Sequence, residues 1–443
     1  MAHCRLWHAA AAIVLALGAA SVYLLNYATF LALFHPPAPH VRFALFGDPQ
    51  IEGDAKLARE PTTGKYDLLV NDHYLHHIYR STIAAFRPNY AVTMGDIFSS
   101  QWVSRQEHAR RLARYRWISG EGEARRDQGD AHEYLHLAGN HDIGYGDETR
   151  PYHIDRFVRS FGPLNREWTV DVGGRPHQFA IINAMNLDGT RHSQFRNETW
   201  DFVRMLADKR ARRPDIPLAL FLHIPLSKPG SLCVGSPETR YSSGFVRYQD
   251  YVSPAASAYL LHCLAPTLVL NGHDHEGCLS AYTVERSSGQ PVALGASGAT
   301  LRVSDDLCGL SLGELDAFQP EIEQFARATV ASVPGPGIPA AAAAAGRPVV
   351  EATVRSAMGA YDGASGILDI SCHGAAQEPR ACTSGRGFEL RTESGCTYGY
   401  REIKLGNHMA IRALLVADAL VALVVPALFL ARRAGSSRPA GRA

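Results

Sequence analysis

The sequence lacks an excess of charge of either sign. Its 443 residues include 44 Lys and Arg against 43 Asp and Glu, which gives a net charge of +1. A chain without a basic field is not expected to bind nucleic acid. The length is sufficient for one large α/β domain with additional segments.

The sequence also lacks, around its last three cysteines, the CxxC and HxxxH spacings of structural zinc sites. We therefore expect one disulfide among Cys372, Cys382 and Cys396, with a zinc site as the alternative. The other cysteines are Cys4, Cys233, Cys263, Cys278 and Cys308. Disulfides indicate an oxidising compartment, and seven cysteines beyond Cys4 leave at least one thiol free or paired between chains.

Charge is absent from residues 9–34, an apolar run long enough to span about 30 Å of hydrocarbon. A cleaved signal peptide is the alternative, but its apolar core usually has only ~7–15 residues. A second apolar segment covers 409–431 and contains Arg412 and Asp418. The arginines that follow it favour a membrane-spanning helix over a buried core helix.

The distribution of arginine predicts a topology. Residues 432–443 are rich in arginine and are expected in the cytosol, together with residues 1–8. Two spans then place residues 35–408 in a secretory lumen, where the sequon at Asn197 would be accessible to glycosylation. The chain is thus expected to be an integral membrane protein.

Helical and strand-like patterns alternate along the chain, which favours an α/β fold. Residues 67–86, 102–117 and 197–212 are predicted as helices. Within the second of these, Arg105, Arg110 and Arg111 are expected on a solvated face, with contact to an anionic glycolipid as the alternative.

Short polar runs carry most of the chemical information. They are residues 47–50 (GDPQ), 95–96 (GD), 139–142 (GNHD), His223 and 272–275 (GHDH). Most follow an apolar, β-rich run, and residues at the carboxyl ends of strands in an α/β sheet converge on one crevice. So many carboxylate, amide and imidazole groups are costly to bury together unless cations supply the missing charge.

The order of these motifs resembles the calcineurin-like metallophosphoesterase superfamily. The resemblance covers residues 41–281 and returns at 350–371. It implies a four-layer α/β/β/α sandwich over 41–372, flanked here by the two apolar segments. Residues of about 314–348 are low in complexity and are expected to be an insertion, and 373–408 form a Cys-containing lumenal segment. A turn, a cap or a core histidine would explain any one motif, so the ordered set carries the resemblance.

Two features resemble a narrower group within this superfamily. The first motif is usually Asp-x-His, whereas here Gln50 replaces the histidine, and residues 351–358 (EATVRSAM) follow downstream. Both are similar to membrane-anchored phosphoesterases that remodel glycosylphosphatidylinositol (GPI) glycans, most of all the fungal enzymes that remove an ethanolamine phosphate side branch from mannose. This resemblance implies GPI-anchored proteins as substrates and a role in their transport from the endoplasmic reticulum (ER) to the Golgi. It implies that the protein lies in the ER membrane with its catalytic domain in the lumen. Cycling to the early Golgi is left open.

The resemblance also implies a site for two divalent metal ions. The expected ligands are Asp48, Gln50 and His275 for one ion and Asn140, His223 and His273 for the other, with Asp96 as the bridge. An amide oxygen binds Zn²⁺ poorly and suits Mn²⁺ or Mg²⁺ better, so we expect Mn²⁺. The alternatives are that Gln50 acts through a water, or that one site is lost and the protein is inactive.

Two residues are expected to act on the substrate side of the metals. His141 follows Asn140 directly and would stabilise the phosphoryl charge or protonate the leaving alkoxide. Asp142 would fix the tautomer of the His141 imidazole. The alternative for Asp142 is a helix or turn cap.

Two other functions are left open by the sequence. A lumenal phosphoprotein phosphatase or phospholipid phosphodiesterase would use a similar metal site, although the sequence has no Cys-dense saposin-like segment. A non-enzymatic adaptor would bind GPI-anchored cargo through an inactive site. Metal content and hydrolysis of a generic diester distinguish the enzyme from the adaptor.

Overall fold

The computed structural model describes residues 2–33, 39–121, 132–228, 230, 232–234, 238–286, 299–303, 305–317, 347–372, 387–392, 395–404 and 408–436. Its strands are β1 (Val41–Phe46), β2 (Tyr90–Thr93), β3 (Glu133–His136), β4 (Arg166–Asp171), β5 (Pro176–Ile181), β6 (Leu218–Phe221), β7 (Thr239–Ser242), β8 (Phe245–Gln249), β9 (Leu268–Asn271), β10 (Cys278–Arg286), β11 (Ala299–Val303), β12 (Arg347–Thr353), β13 (Ala364–Cys372), β14 (Gly387–Arg391) and β15 (Cys396–Lys404).

These strands form two mixed sheets and one hairpin. The first sheet has the order β14-β15-β13-β1-β2-β3, and the second has the order β11-β10-β12-β9-β6-β5-β4. The hairpin consists of β7 and β8. The strands that precede the polar motifs are parallel within each sheet, β1-β2-β3 in one and β6-β9 in the other. Their loops therefore leave each sheet at one edge.

The predicted helices are confirmed with slightly different ends. The helices are α1 (Ala2–Leu25), α2 (Tyr27–Leu33), α3 (Asp54–Arg59), α4 (Gly64–Phe86), α5 (Arg105–Ser119), α6 (Asn140–Ile143), α7 (Pro151–Phe161), α8 (Ser193–Arg212), α9 (Pro254–Cys263), α10 (Leu312–Ala317) and α11 (His408–Ser436). The three predicted helices are α4, α5 and α8. Helix α5 begins after Ser104, whose hydroxyl accepts a hydrogen bond from the Glu107 N–H. It is followed by Gly120, whose left-handed backbone (φ 79°) terminates the helix.

The arginines of α5 do not share one environment. Arg105 and Arg110 are exposed as expected, but Arg111 is only 1% exposed. Arg111 pairs with Glu107 and donates a hydrogen bond to the carbonyl of Ile51, at 2.8 Å. The expectation of a solvated face is therefore wrong for Arg111, because α5 packs against the loop that follows β1.

The side chains of β1 show how the layers are arranged. Phe43 points into the space between the sheets and contacts Phe179 and Phe221 of the second sheet, with ring centroids 5.1 and 5.6 Å apart. Phe46 points the opposite way and stacks on Tyr79 of α4, at 3.8 Å. On β6, Leu218 and Leu220 belong to the outer core together with Trp200 and Val203 of α8, whereas Phe221 faces the inner core. The two sheets thus form the middle of an α/β sandwich, as expected.

The chain that follows the predicted insertion completes both sheets. β12 lies between β9 and β10, and β13 lies between β1 and β15. β12 ends at Thr353, and residues 354–358 leave the sheet as a loop. The insertion predicted at about 314–348 begins within α10 and otherwise lies largely outside the described residues.

The helices at the two ends of the chain differ from the predicted spans at 9–34 and 409–431. In the described part of the chain, no helix taken singly has both the length and the apolar character to cross a bilayer. Residues 11–23 of α1 and the whole of α2 satisfy both criteria only together, as a pair bent by 69°. Helices α1 and α11 pack on each other, and Ser21 donates a hydrogen bond to Asp418.

Within the described residues, three disulfides join distant segments, namely Cys233–Cys278, Cys263–Cys308 and Cys372–Cys396. The bridge expected among the last three cysteines is confirmed as Cys372–Cys396. The zinc alternative is disfavoured, because these two sulfurs bind each other. Cys382 lies outside the described residues.

We expect the Cys263–Cys308 bridge to contribute to stability, because it closes a 45-residue separation between α9 and the segment before α10. The double variant Cys263→Ser, Cys308→Ser should lower the free energy of unfolding by about 2–4 kcal/mol. Urea denaturation of the oxidised protein measures this change, with Cys4→Ser as the control. An unchanged midpoint in the double variant would contradict the prediction.

Candidate metal centre

The five predicted motifs meet where the two sheets adjoin. Residues 47–50 follow β1, 95–96 follow β2 and 139–142 follow β3, where α6 begins. From the second sheet, His223 follows β6 and residues 272–275 follow β9. Because these strands are parallel within their sheets, the motifs converge on one point, as the sequence predicted.

The residues expected to hold one ion lie close together around Asp48 and Asp96. Gln50 Nε2 is 3.2 Å from Asp96 Oδ2 and 3.2 Å from His275 Nε2. His275 Nε2 is 3.8 Å from Asp48 Oδ1. Because an amide offers its oxygen and nitrogen at similar positions, a half turn of the Gln50 amide would present the oxygen to the same neighbours.

The residues expected to hold the other ion also meet at Asp96. His223 Nε2 is 3.2 Å from Asn140 Oδ1, 3.5 Å from Asp96 Oδ1 and 3.9 Å from Asp48 Oδ1. Asp96, His223 and His273 each offer a ligand atom within 4.8 Å of the other two. Asp96 and Asp48 both lie near residues of the two groups, and Asp96 approaches His223 more closely. The bridging role of Asp96 stays a prediction.

The hydrogen bonds of two histidines leave the correct nitrogen available to a cation. His223 Nδ1 lies 2.7 Å from the carbonyl oxygen of Met94, and His273 Nε2 lies 3.0 Å from that of Gln249. A carbonyl only accepts, so these nitrogens carry the protons of the neutral rings. The other nitrogen of each ring keeps its lone pair, as in histidines that bind metals.

Burial of negative charge is the main electrostatic feature of the site. Asp48 is 0% exposed and Asp96 is 1% exposed. Burial and the Asp96 carboxylate raise the pKa of Asp48 well above its usual range. A cation between these carboxylates would offset the cost of burying them, so the residues present fit a metal site.

The histidines at the centre favour the neutral form that binds metals. Burial lowers the pKa of His223 and of His275. Burial, together with the nearby His223, lowers the pKa of His273 to about 3. Neutral imidazoles and ionised carboxylates are the forms in which these side chains bind cations.

The backbone at the site is held in an uncommon conformation. Asp48, Gln50, Asp96 and His273 have φ values of 40°, 41°, 49° and 70°. Such left-handed residues cost free energy unless the surrounding structure holds them, and they cluster at functional sites. Gly139 is needed for a different reason, since a Cβ there would lie 2.2 Å from Asp96 Oδ1.

His141 lies at the edge of the site and is partly exposed to solvent. Its side chain is 39% exposed, and its Nε2 is 3.8 Å from Asp96 Oδ2. Its backbone N–H donates a hydrogen bond to Asp96 Oδ1 at 2.8 Å, which fixes the residue beside that carboxylate. Its role on the substrate side stays a prediction.

Asp142 differs from the role first expected for it. Its carboxylate accepts hydrogen bonds from the backbone N–H groups of Gly139, Ile97 and Phe98, at 3.0, 3.3 and 3.2 Å. No hydrogen bond between Asp142 and the His141 imidazole is present among the described residues. The structure thus supports the capping alternative, in which Asp142 joins the loop after β2 to the start of α6. Burial and Asp96 raise its pKa to about 8.

The sequence did not reveal the role of Glu351, which is fully buried on β12. Glu351 Oε1 accepts hydrogen bonds from the Leu226 N–H at 2.8 Å and from Asn271 Nδ2 at 2.7 Å. Its Oε2 lies 2.7 Å from Nζ of Lys228, which is 2% exposed. Leu226 follows His223 by three residues and Asn271 precedes His273 by two, so Glu351 holds two ligand-bearing loops together. The only signal in the sequence was one acid within an apolar strand.

We expect Glu351→Gln to lower the free energy of unfolding by about 3–5 kcal/mol, because Lys228 would stay buried and charged without a carboxylate. Adding Lys228→Met should recover much of this loss, since both charges are then removed. Urea denaturation measures both variants, with the exposed Asp155→Asn on α7 as the control. Equal destabilisation by the single and double variants would contradict the coupling.

We expect Gln50→His to shift the metal preference from Mn²⁺ towards Zn²⁺ and to preserve hydrolysis, because imidazole is the softer ligand. Elemental analysis of the purified protein and titration of the metal-free protein with each ion measure the preference. Wild-type protein that contains stoichiometric Zn²⁺ and does not respond to Mn²⁺ would show that the expectation is wrong.

Comparison with known proteins agrees with this site. Residues 41–277, more than half of the chain, match the model of the calcineurin-like phosphoesterases. The chain is 27% identical to Protein TED1 of Saccharomyces cerevisiae over 321 residues, which cover 56% of this chain and 67% of that protein. It is 30% identical to an uncharacterized protein of Schizosaccharomyces pombe over 269 residues, covering 53% and 63%.

A third relative comes from animals. Metallophosphoesterase 1 of Rattus norvegicus is 26% identical over 277 residues, which cover 56% of this chain and 67% of that protein. The matches thus span about two thirds of the length of these relatives. The family match and the converging ligand set lead to one conclusion: the chain belongs to the calcineurin-like phosphoesterases, which are metal-dependent hydrolases with a site for two metal ions.

Proposed function

We propose that this enzyme is a Mn²⁺-dependent phosphodiesterase that removes an ethanolamine phosphate side branch from the mannose of GPI anchors. We further propose that it is anchored in the ER membrane with its catalytic domain in the lumen. GPI-anchored proteins would be its substrates, and its activity would support their transport to the Golgi.

One observation carries the choice of substrate. The narrower resemblance depends on two segments, residues 47–50 and 351–358, that are distant in the sequence. In the structure they are one unit, because Gly47 and Ser356 form a β-bridge and the Ala357 N–H donates a hydrogen bond to the Gly47 carbonyl at 2.7 Å. Ser356 Oγ donates to the Asp48 carbonyl at 3.0 Å. The features shared with the GPI phosphodiesterases therefore adjoin the metal ligands.

The reaction consumes one water and breaks the bond between phosphorus and the mannose oxygen. When bound, the two cations would supply a hydroxide near neutral pH and neutralise the phosphoryl oxygens. Asp48 and Asp96 provide the negative charge that holds them. The products are ethanolamine phosphate and a free mannose hydroxyl.

His141 is the residue that can protonate the leaving mannose oxygen. His223, His273 and His275 are predicted metal ligands, and the first of these is almost fully buried. His141 presents its imidazole at the open side of the site, beside Asp96. In its protonated form it can donate an N–H proton as the bond to phosphorus breaks.

The proposed compartment is supported by the three disulfides, which persist in oxidising environments such as the secretory lumen. Helix α4, which lies beside the site, contacts α2. Its residue Asp67 also pairs with Arg412 of α11 at 3.3 Å. If α2 and α11 belong to the membrane anchor, the site lies close to its lipid-linked substrate.

The test is glycan analysis in cells that lack this protein and are complemented with variants. Asp96→Asn should abolish hydrolysis, because it removes the charge shared by both ions, and GPI anchors should keep an extra ethanolamine phosphate.

His141→Ala should retain metal but lower kcat by about 10²–10⁴-fold. Mass spectrometry of GPI glycans and metal analysis of the purified variants are the measurements.

Asp155→Asn serves as the control and should restore normal glycans. If Asp96→Asn restores them as well, the catalytic proposal fails and the adaptor function takes its place. If wild-type and null cells have identical GPI glycans, the substrate is wrong even though the metal site hydrolyses other diesters.

A further inference from the structure

A cavity of about 320 Å³ lies directly beside the metal centre. Its wall includes Gln50 from the first motif, Leu68 and Asn71 from α4, Ser99, and residues 358–360. Gln50 forms the boundary, since its amide contacts Asp96 and His275 on the metal side. The volume is at the lower end of the range for small-molecule pockets, which begins at about 300 Å³.

The charged groups in the wall of the cavity are already paired. Asp72 accepts two hydrogen bonds from the Arg114 guanidinium, at 2.6 and 2.7 Å. Glu52 accepts a hydrogen bond from Arg59 at 2.7 Å and lies 3.9 Å from Lys56. Among the described residues that line it, the cavity therefore presents no unmatched cation for a second phosphate and no unmatched carboxylate for an ammonium group.

The remaining wall suits a neutral ring that carries hydroxyl groups. Asn71 and Ser99 offer amide and hydroxyl groups for hydrogen bonds, although Asn71 also has a long contact of 3.5 Å with Arg412 and Ser99 accepts a hydrogen bond from Arg111 at 2.9 Å. Leu68 and Met358 offer apolar surface for the C–H face of a ring. Apolar walls with a few placed polar groups are typical of specific small-ligand sites.

The position of the cavity decides which arm of the diester enters it. A phosphodiester bound at the metals has an ethanolamine arm and a sugar arm. The ethanolamine arm is cationic and gains nothing from paired carboxylates, whereas the sugar arm is neutral. The loop 358–360 continues from Ser356, which is bonded to the Asp48 backbone, so the cavity and the metal ligands are held by the same segment.

We propose that this cavity is the subsite for the mannose that carries the ethanolamine phosphate. The assignment rests on the proposed function and adds the residues that recognise the sugar. Substrates without a sugar would bind at the metals alone.

The chain offers a matched pair of variants on one helix. Leu68 lines the cavity, whereas its neighbour Leu69 is 56% exposed and lies outside it. Leu68→Trp should fill the cavity. It should raise KM for methyl 6-(ethanolamine phospho)-α-mannoside about tenfold more than it raises KM for 4-nitrophenyl ethanolamine phosphate, which has no sugar. Leu69→Trp should change neither value by more than about twofold. Ala360→Leu, at the exposed rim, is a second filling variant in case Leu68→Trp fails to fold.

Binding of the sugar alone provides a test that does not require its ester to be hydrolysed. Saturation-transfer NMR with full-length, Mg²⁺-loaded protein should detect methyl α-mannoside, and the signal should be lost in the filling variants but kept in Leu69→Trp. An equal rise in KM for both esters in the filling variants, or no methyl α-mannoside signal in the wild type, would overturn the subsite. A wild-type enzyme that binds the mannoside but does not cleave its ester would instead refute the proposed function and leave the subsite intact.

Discussion

The structure depends on negative charge that is buried at the junction of its two sheets. Asp48 and Asp96 are almost completely excluded from solvent, and neither has a lysine or arginine as a partner among the contacts described. Carboxylates in such a position are unfavourable unless cations approach them. The left-handed backbone at Asp48 and Asp96 and the close approach of Gly139 are consequences of the same requirement, since both bring oxygens to one point.

The second sheet needs its own means of holding ligands, because its motifs come from separate loops. Glu351 provides it by binding the backbone near His223 and the side chain of Asn271 at once. Its own charge is matched by Lys228, so the network is neutral as a whole. A buried pair of this kind contributes little net stability, but it fixes the geometry of the groups bonded to it. The loop after β12 then adds Ser356 to the backbone of Asp48, so one segment supports ligands from both sheets.

Helix α4 connects the site to the ends of the chain. Near its carboxyl end, Tyr79 packs under β1 against Phe46. About two to three turns earlier, Leu68 and Asn71 line the cavity beside Gln50. At its amino end, Asp67 pairs with Arg412 of α11. Helix α4 thus places a residue that pairs with α11 about one turn from residues that line the cavity.

From the sequence alone one could predict the α/β architecture, the helices α4, α5 and α8, and the convergence of the five motifs. This is possible because periodicity and strand-to-loop order are local features, and parallel strands necessarily direct their following loops to one edge. The sequence did not determine that Asp142 caps a turn, that Arg111 is buried, that Glu351 joins two loops, or which cysteines pair. Each of these depends on which distant segments become neighbours. Arg111 lies on a polar helix and is buried only because the loop at Ile51 crosses it. Glu351 becomes a central residue only because β12 inserts beside β9, after a long insertion, and this placement is a property of the packed sheets alone.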